Sequence, residues 1–184
     1  LNYRINRLNR GEKMFEKNKG HNQNLKFDIL EEKLKENIGI SELSIDILKV
    51  LNLYQKEGYY NIAAELLSDR NNISLSGIDV IKFGSNNNTI LYRDTFERIS
   101  ILEQYDKAIE LFEQYYPFEE VSGYSRVKKE LVPKEAFREA LANGLVHREW
   151  AIQSHIQISM YDDRIEINSP GGLPFGMTEE AYLR

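Results

Sequence analysis

The sequence predicts a two-layer α+β sandwich, a mixed β-sheet with helices packed on one face. Three observations carry that prediction. Two apolar runs, Ile78–Phe83 and residues 90–92, are joined by the polar stretch 84–89 and read as paired strands. Two later stretches, 96–115 and the one opening at Pro133, space their apolar residues at helical intervals. After Trp150 the period switches to two: Ile156, Ile158 and Met160 point one way, His155, Gln157 and Ser159 the other. The resulting order from Ile78 is strand, strand, helix, strand, helix, strand, strand, which suits helices laid over one sheet.

Taken in order, the chain opens on a polar, basic segment. Residues 1–27 hold seven Lys and Arg (Arg4, Arg7, Arg10, Lys13, Lys17, Lys19, Lys26) against Glu12 and Glu16, a net of +5. The remainder is therefore −10 in a chain whose total is −5. Arg4, Arg7 and Arg10, interleaved with Tyr3, Asn6 and Asn9, are candidates for phosphate contact, with Tyr3 able to stack. A solvated basic tail explains the same residues. The acidic remainder argues against a second broad nucleic-acid surface.

Asp28 is placed to cap a short helix carrying Ile29, Leu30 and Leu34, ended by Asn37 and Gly39. Ser41 or Ser44 starts a second helix with Leu43, Ile47, Leu48, Leu51 and Tyr54 on one face, stopped by Gly58. Asn61 precedes a short apolar helix, Ile62–Leu67. Helix after helix beside a basic arm invites a helix-turn-helix reading. Ile62–Leu67 lacks the Arg or Lys that a groove-entering helix needs, so core packing is the better prediction. Asn71-Asn72 reads as a turn. Thr95 is the expected cap of the longest helix, over 96–115, with Ile99, Leu102, Tyr105, Ile109 and Phe112 buried and Pro117 as its stop. Residues 121–132 read as extended, and there is no internal repeat.

The stretch 133–176 organises the rest. Pro133 suits the start of a helix and Glu135 its positive end. Phe137, Leu141 and Leu145 form an apolar stripe, expected to pack against Ile156, Ile158, Ile165 and Ile167. Glu139, Asn143 and His147 form a polar stripe at the same spacing, so an acid and an amide one turn apart can approach one ligand. His147 and Arg148 sit at the helix C-terminus, where a cation is favoured; capping explains them as well as phosphate contact does. Asp162-Asp163 is a turn, and residues 169–174 break the returning strand into a backbone-exposed loop.

Composition narrows the function classes. The 184-residue length fits one domain, or a domain with an appendage, with an ordinary apolar fraction. There is no Cys, and only His21, His147 and His155, so a disulfide framework and the usual zinc sites are excluded. With no signal peptide and no long apolar run, a cytoplasmic location without membrane partners is expected. The chain starts without Met and stops just after Thr178-Glu179-Glu180, which looks like a capped helix beginning; a piece of a longer protein is expected.

Two motifs carry a family resemblance. REALANGLVHREW, followed by DDRIEINSPGGLPFGMT, resembles the C-terminal module of bacterial proteins labelled RecG-related ATP-dependent DNA helicase or transcriptional regulator. In that family an AlbA/Schlafen-type DNA-binding domain precedes a divergent nucleotide-binding fold of the GHKL type, shared with gyrase, MutL and histidine kinases. The segment from Tyr60 to Tyr116, with YYNIAAELLSD and IDVIKF, follows the same order more weakly. The resemblance implies that residues 1–40 trail a DNA-binding domain and that 41–184 form a C-terminally incomplete GHKL-like domain. It also implies ATP and Mg²⁺ as cofactors of the intact protein. Asn143 would supply a carbonyl oxygen to the metal, which as a hard cation prefers oxygen. Glu139 would orient or deprotonate the attacking water. The loop after Asn168, with Gly171 and Gly172, matches the adenine-contacting box.

The sequence also departs from the family's pattern. Asn168 stands where the fold usually has Asp, and Pro170 where it has Gly. An Asn can accept a hydrogen bond from the adenine amine, without charge assistance. The phosphate-covering lid would lie beyond Arg184. No G-x-x-x-x-G-K-[ST] loop occurs, so a helicase motor is not expected in this chain. Two functions stay open: a DNA-linked regulator with a nucleotide-sensing module, or a degenerate scaffold that mediates homo-oligomerisation. Weak ATPase activity is conceivable for the full-length protein and not expected from 1–184 alone.

Overall fold

The computed structural model describes residues 15–85, 89–122, 125–130 and 132–172, with backbone alone over 117–122 and 125–130. Its elements are α1 (Asp28–Ile38), α2 (Ile45–Val50), α3 (Ile62–Leu67), β1 (Ile78–Phe83), β2 (Ile90–Phe96), α4 (Ile101–Tyr115), β3 (Pro117–Ser122), β4 (Ser125–Glu130), α5 (Lys134–His147), β5 (Ile156–Met160) and β6 (Ile165–Asn168). Arg4, Arg7 and Arg10 lie outside the described residues.

The predicted sandwich is the observed one. Four strands form a mixed sheet in the order β2-β1-β5-β6, with β1 and β5 parallel and the outer pairs antiparallel. Ile78, Val80, Ile156, Ile158 and Met160 are buried, and Ile165 and Ile167 partly so, all toward α4 and α5. Phe137 (2% exposed), Leu141 (0%) and Leu145 (8%) meet them from α5, joined by Ala108, Leu111 and Phe112 of α4. Phe112 stacks between Tyr116 and Phe137 with ring centroids 5.3 and 4.5 Å away. The opposite sheet face is polar. There Asp79 accepts from Arg93 Nε (3.2 Å), Arg93 Nη2 (3.0 Å) and Thr95 Oγ1 (3.0 Å).

A second apolar cluster holds the helices α1–α3. Phe27, Leu30, Leu48, Leu53 and Ala64 form its buried centre, with Leu102 of α4 packed against it. Core packing of α3 is therefore the observed outcome: Ile62, Ala64, Glu65 and Leu66 are buried. Ser44 caps α2 and Asn61 caps α3, each through its side-chain oxygen, and Gly39 ends α1 in the left-handed conformation (φ 72°).

Several boundaries differ from the sequence prediction, each for a tertiary reason. Asp28 does not cap α1; the carboxylate of Asp69 does, accepting the backbone N–H groups of Asp28 and Ile29, both at 3.0 Å. Helix α2 ends at Val50, because Asn52 takes a left-handed conformation (φ 58°) and turns the chain back toward a bridge between Tyr54 and Tyr60. Residues 95–100 are not helical. Thr95 is drawn into β2 by Asp79, Arg98 turns the chain with φ 62°, and Ser100 becomes the cap of α4. Pro117 begins a strand, and within the expected extended run 121–132 the described residues 121–122 end β3 and 125–130 form β4, paired antiparallel. The Asn71-Asn72 turn falls at Ser74-Leu75 instead; Asn71 is buried and donates its amide to the Ile99 carbonyl (2.9 Å).

Candidate functional site

The candidate residues lie along the outer stripe of α5 and in the loop that follows β6. Helix α5 is anchored by its apolar stripe, so the stripe of Glu139, Asn143 and His147 is turned outward, and all three are exposed. The helix spacing places Asn143 one turn after Glu139, and its Nδ2 donates to Glu139 Oε1 at 3.0 Å. That bond orients the amide. Among the described residues, the carbonyl oxygen of Asn143 has no hydrogen-bond partner.

The loop after β6 is fastened beside them. Ser169 Oγ donates to the Gly144 carbonyl at 2.7 Å, satisfying one of the last helical carbonyls, which lack intrahelical partners. One step further on, the Glu149 backbone N–H donates to the Pro170 carbonyl at 2.8 Å. Gly171 follows with φ 149°, a conformation that a side chain would strain, and its surroundings are the Glu149 backbone and Cβ. Gly172 is exposed, with open space where a Cβ would stand. Glu139 and Asn143 thus stand on the outer stripe of α5, and the Gly171–Gly172 backbone follows a loop that is fastened to the end of the same helix at Gly144 and Glu149.

The remaining candidates go elsewhere. His147 is exposed at the helix end. Arg148 continues the buried stripe and is only 6% exposed. Its Nη2 donates to the carbonyls of Ser154 (2.7 Å) and Leu75 (3.4 Å), its Nη1 to that of Ser76 (3.4 Å), and its Nε has no partner. Burial without a facing carboxylate pushes its pKa down to about 10. The guanidinium also lies 4.2 Å from the ring centre of Trp150. Arg148 thus ties the end of α5 to the turn that precedes β1. The two form one wall of a cleft of about 230 Å³ that also contacts Phe15, His21 and Ile152, and neither Glu139 nor Asn143 lines it. Asn168 pairs with Gln157 across β5–β6, and both are exposed on the sheet face away from α5.

Sequence reasoning did not single out Ser169 or Glu149. Ser169 was legible by strand parity, since it follows Ile165 and Ile167 on the inward side. Glu149 acts through its backbone and left no side-chain signal.

Residues 153–184 match the family model described as "Putative ATP-dependent DNA helicase recG C-terminal". The match spans the motif DDRIEINSPGGLPFGMT and bears out the RecG-related resemblance there; REALANGLVHREW lies outside it. No curated protein sequence matches the chain. Among solved structures, the DIP2311 protein from Corynebacterium diphtheriae superposes with a TM-score of 0.72 at 21% identity, over 97% of this chain and 38% of that one. The likeness is one of fold, and this chain spans little more than a third of that protein's length. Among the described residues, no helix is long and apolar enough to cross a membrane.

Proposed function

Taking the RecG-type C-terminal match as the premise, we propose that this chain carries the first half of a nucleotide site in a DNA-linked regulatory protein. The observation that carries the reading is the Glu139–Asn143 pair standing beside a loop fastened at Gly144 and Glu149. Asn143 offers a carbonyl oxygen without a partner among the described residues, the donor type that Mg²⁺ prefers. Among the described residues, no group of three or more His, Cys, Asp or Glu is placed to hold a metal ion. A metal here would rest on Asn143 and on oxygens supplied by the nucleotide and water. Bound Mg²⁺ would neutralise phosphate charge. Exposed Glu139 would orient a water, and the exposed Gly171–Gly172 backbone would meet the ligand.

In this reading, residues 1–40 lead in from a DNA-binding domain. Arg4, Arg7 and Arg10 add a salt-sensitive phosphate contact, and the module senses ATP and Mg²⁺ in the cytoplasm. The test is calorimetric titration of the full-length protein with MgATP. Asn143→Ala is expected to abolish Mg²⁺-dependent binding. Glu139→Gln is expected to bind normally and slow any hydrolysis by about 10²–10⁴-fold. An Asn143→Ala protein that binds MgATP like its parent overturns the reading.

A scaffold reading draws on a different observation. Strand β2 is a sheet edge carrying exposed Ile90 and Leu91, a surface suited to pairing with another chain. It expects both site variants to behave as the parent.

A further inference from the structure

We infer that the cleft between the turn over residues 72–76 and the segment 148–153 binds a small aromatic monocarboxylate, with Arg148 as its anion partner. The inference is independent of the nucleotide reading, since neither Glu139 nor Asn143 lines this cleft. Its volume of about 230 Å³ lies below the roughly 300–1,000 Å³ of pockets that enclose drug-sized ligands. The occupant is therefore small, a single ring with one short substituent.

Charge selects the substituent. The chain carries 29 Asp and Glu, yet none of them lines the cleft, whose charged or titratable members are Arg148 and His21. Arg148 is buried, and carbonyls take three of its five N–H groups without cancelling its charge. Its Nε, buried and without a partner, is one of the donors left over. Glu65, 3.6 Å from His21 Nδ1, is fully buried and accepts the His21 and Asn22 N–H groups. A buried cation met only by neutral acceptors lacks the counter-charge that such a group ordinarily has, and a ligand carboxylate supplies it.

Apolar surface selects the ring. The Trp150 ring centre lies 4.2 Å from the guanidinium carbon, and Leu75 and Ile152, 40% and 44% exposed, line the same cleft. An aromatic body laid there removes their surface from water. Ser74 and Gln153 also line it, exposed and without hydrogen-bond partners among the described residues, and offer neutral donors to the carboxylate. An inorganic anion would use the charge of Arg148 and leave the apolar side bare.

The test is a ligand-observed NMR titration of the full-length protein with benzoate, its neutral isostere benzamide and inorganic phosphate. Benzoate should bind with a Kd of about 1 mM, within reach of so small a ligand. Benzamide should bind at least about ten-fold more weakly, as loss of a charge-assisted contact implies. Ser74→Asp puts a carboxylate on the cleft without altering the carbonyls that hold Arg148. It should weaken benzoate by about 3–10-fold and leave benzamide within about two-fold of the parent. Ile152→Ser should weaken both ligands alike, by about 2–5-fold. Arg148→Gln should erase the preference for benzoate; where that variant does not fold, Ser74→Asp decides. Asn143→Ala should bind benzoate as the parent does. A parent that binds benzoate no better than benzamide, unchanged benzoate binding in Ser74→Asp, or phosphate that displaces benzoate at equal concentration overturns the inference. Loss of benzoate binding in Asn143→Ala would move the ligand to the nucleotide site and overturn it as well.

Discussion

The helical region over residues 25–67 and the sheet region over 78–172 are held together by different means. In the helical region, buried polar side chains reach far along the chain to backbone groups. Glu65, fully buried, accepts the N–H groups of His21 (2.8 Å) and Asn22 (3.3 Å), and Asp69 caps α1 from across the cluster. In the sheet region the centre is almost purely apolar, and α5 is seated on it through Phe137, Leu141 and Leu145. The difference bears on function. Where polar groups are consumed by architecture they are not available to a ligand. At the outer stripe of α5 they are spared, because the apolar stripe beneath does the anchoring. Arg148 is one exception within the sheet region, a cation taken into the interior by three carbonyls, and fully buried Gln104, which donates to the Ile99 carbonyl (2.9 Å), is another.

The contrast yields a graded set of expectations for thermal or denaturant unfolding. Leu141→Ala should destabilise most, by about 2–5 kcal/mol, because the side chain is fully buried and its cavity cannot easily collapse. A variant that melts with the parent would mean that α5 is not fixed by its apolar stripe. Glu65→Ala should follow at about 1–3 kcal/mol, leaving the His21 and Asn22 N–H groups without their acceptor. Loss of the Asp69→Ala cap should cost about 0.5–2 kcal/mol, and proteolysis should then cut first within residues 28–38. If α1 stays equally protected, the long-range polar anchoring is weaker than the geometry indicates.

Gly144→Ala should have a smaller effect of opposite sign, stabilising by about 0.5–1 kcal/mol. The nearest atoms to a Cβ there belong to Ile167, Ser169 and Ile156 at 3.8–4.0 Å, ordinary contact distances, while Ala is the better helix former. A destabilised variant would show that the clasp at Gly144 has no room to give. Asn143→Ala sits at the bottom of the series, within about 0.5 kcal/mol of the parent, since it is exposed and outside both clusters. A large loss of stability there would erase the distinction between architecture and site.

Local pattern made much of this legible from the sequence. The stripe of Phe137, Leu141 and Leu145 and the alternation through Ile156, Ile158, Ile165 and Ile167 are short-range signals, and they located both the core and the polar stripe opposite. Gly39, Ser44 and Asn61 marked helix ends because caps act over three residues. What escaped was set by distant partners. Thr95 is a plausible cap until Asp79, on the neighbouring strand, takes its hydroxyl. Asp69 caps a helix that begins 41 residues earlier, which no local window reveals. The β3–β4 hairpin was half missed because its residues, with Glu119, Glu120, Arg126, Lys128, Lys129 and Glu130, lack apolar alternation. Arg148 looked available for a phosphate because its charge is visible in sequence and its burial is not.

Trp150 is the chain's single tryptophan, and it stacks on Arg148, one residue past Glu149, whose N–H holds the Pro170 loop. Indole emission from this protein therefore has one source, seated at the joint between α5 and the loop. Any rearrangement of that joint alters the distance between indole and guanidinium and, with it, the colour and yield of the light. The molecule carries its own optical gauge, and no dye or label is needed to read it.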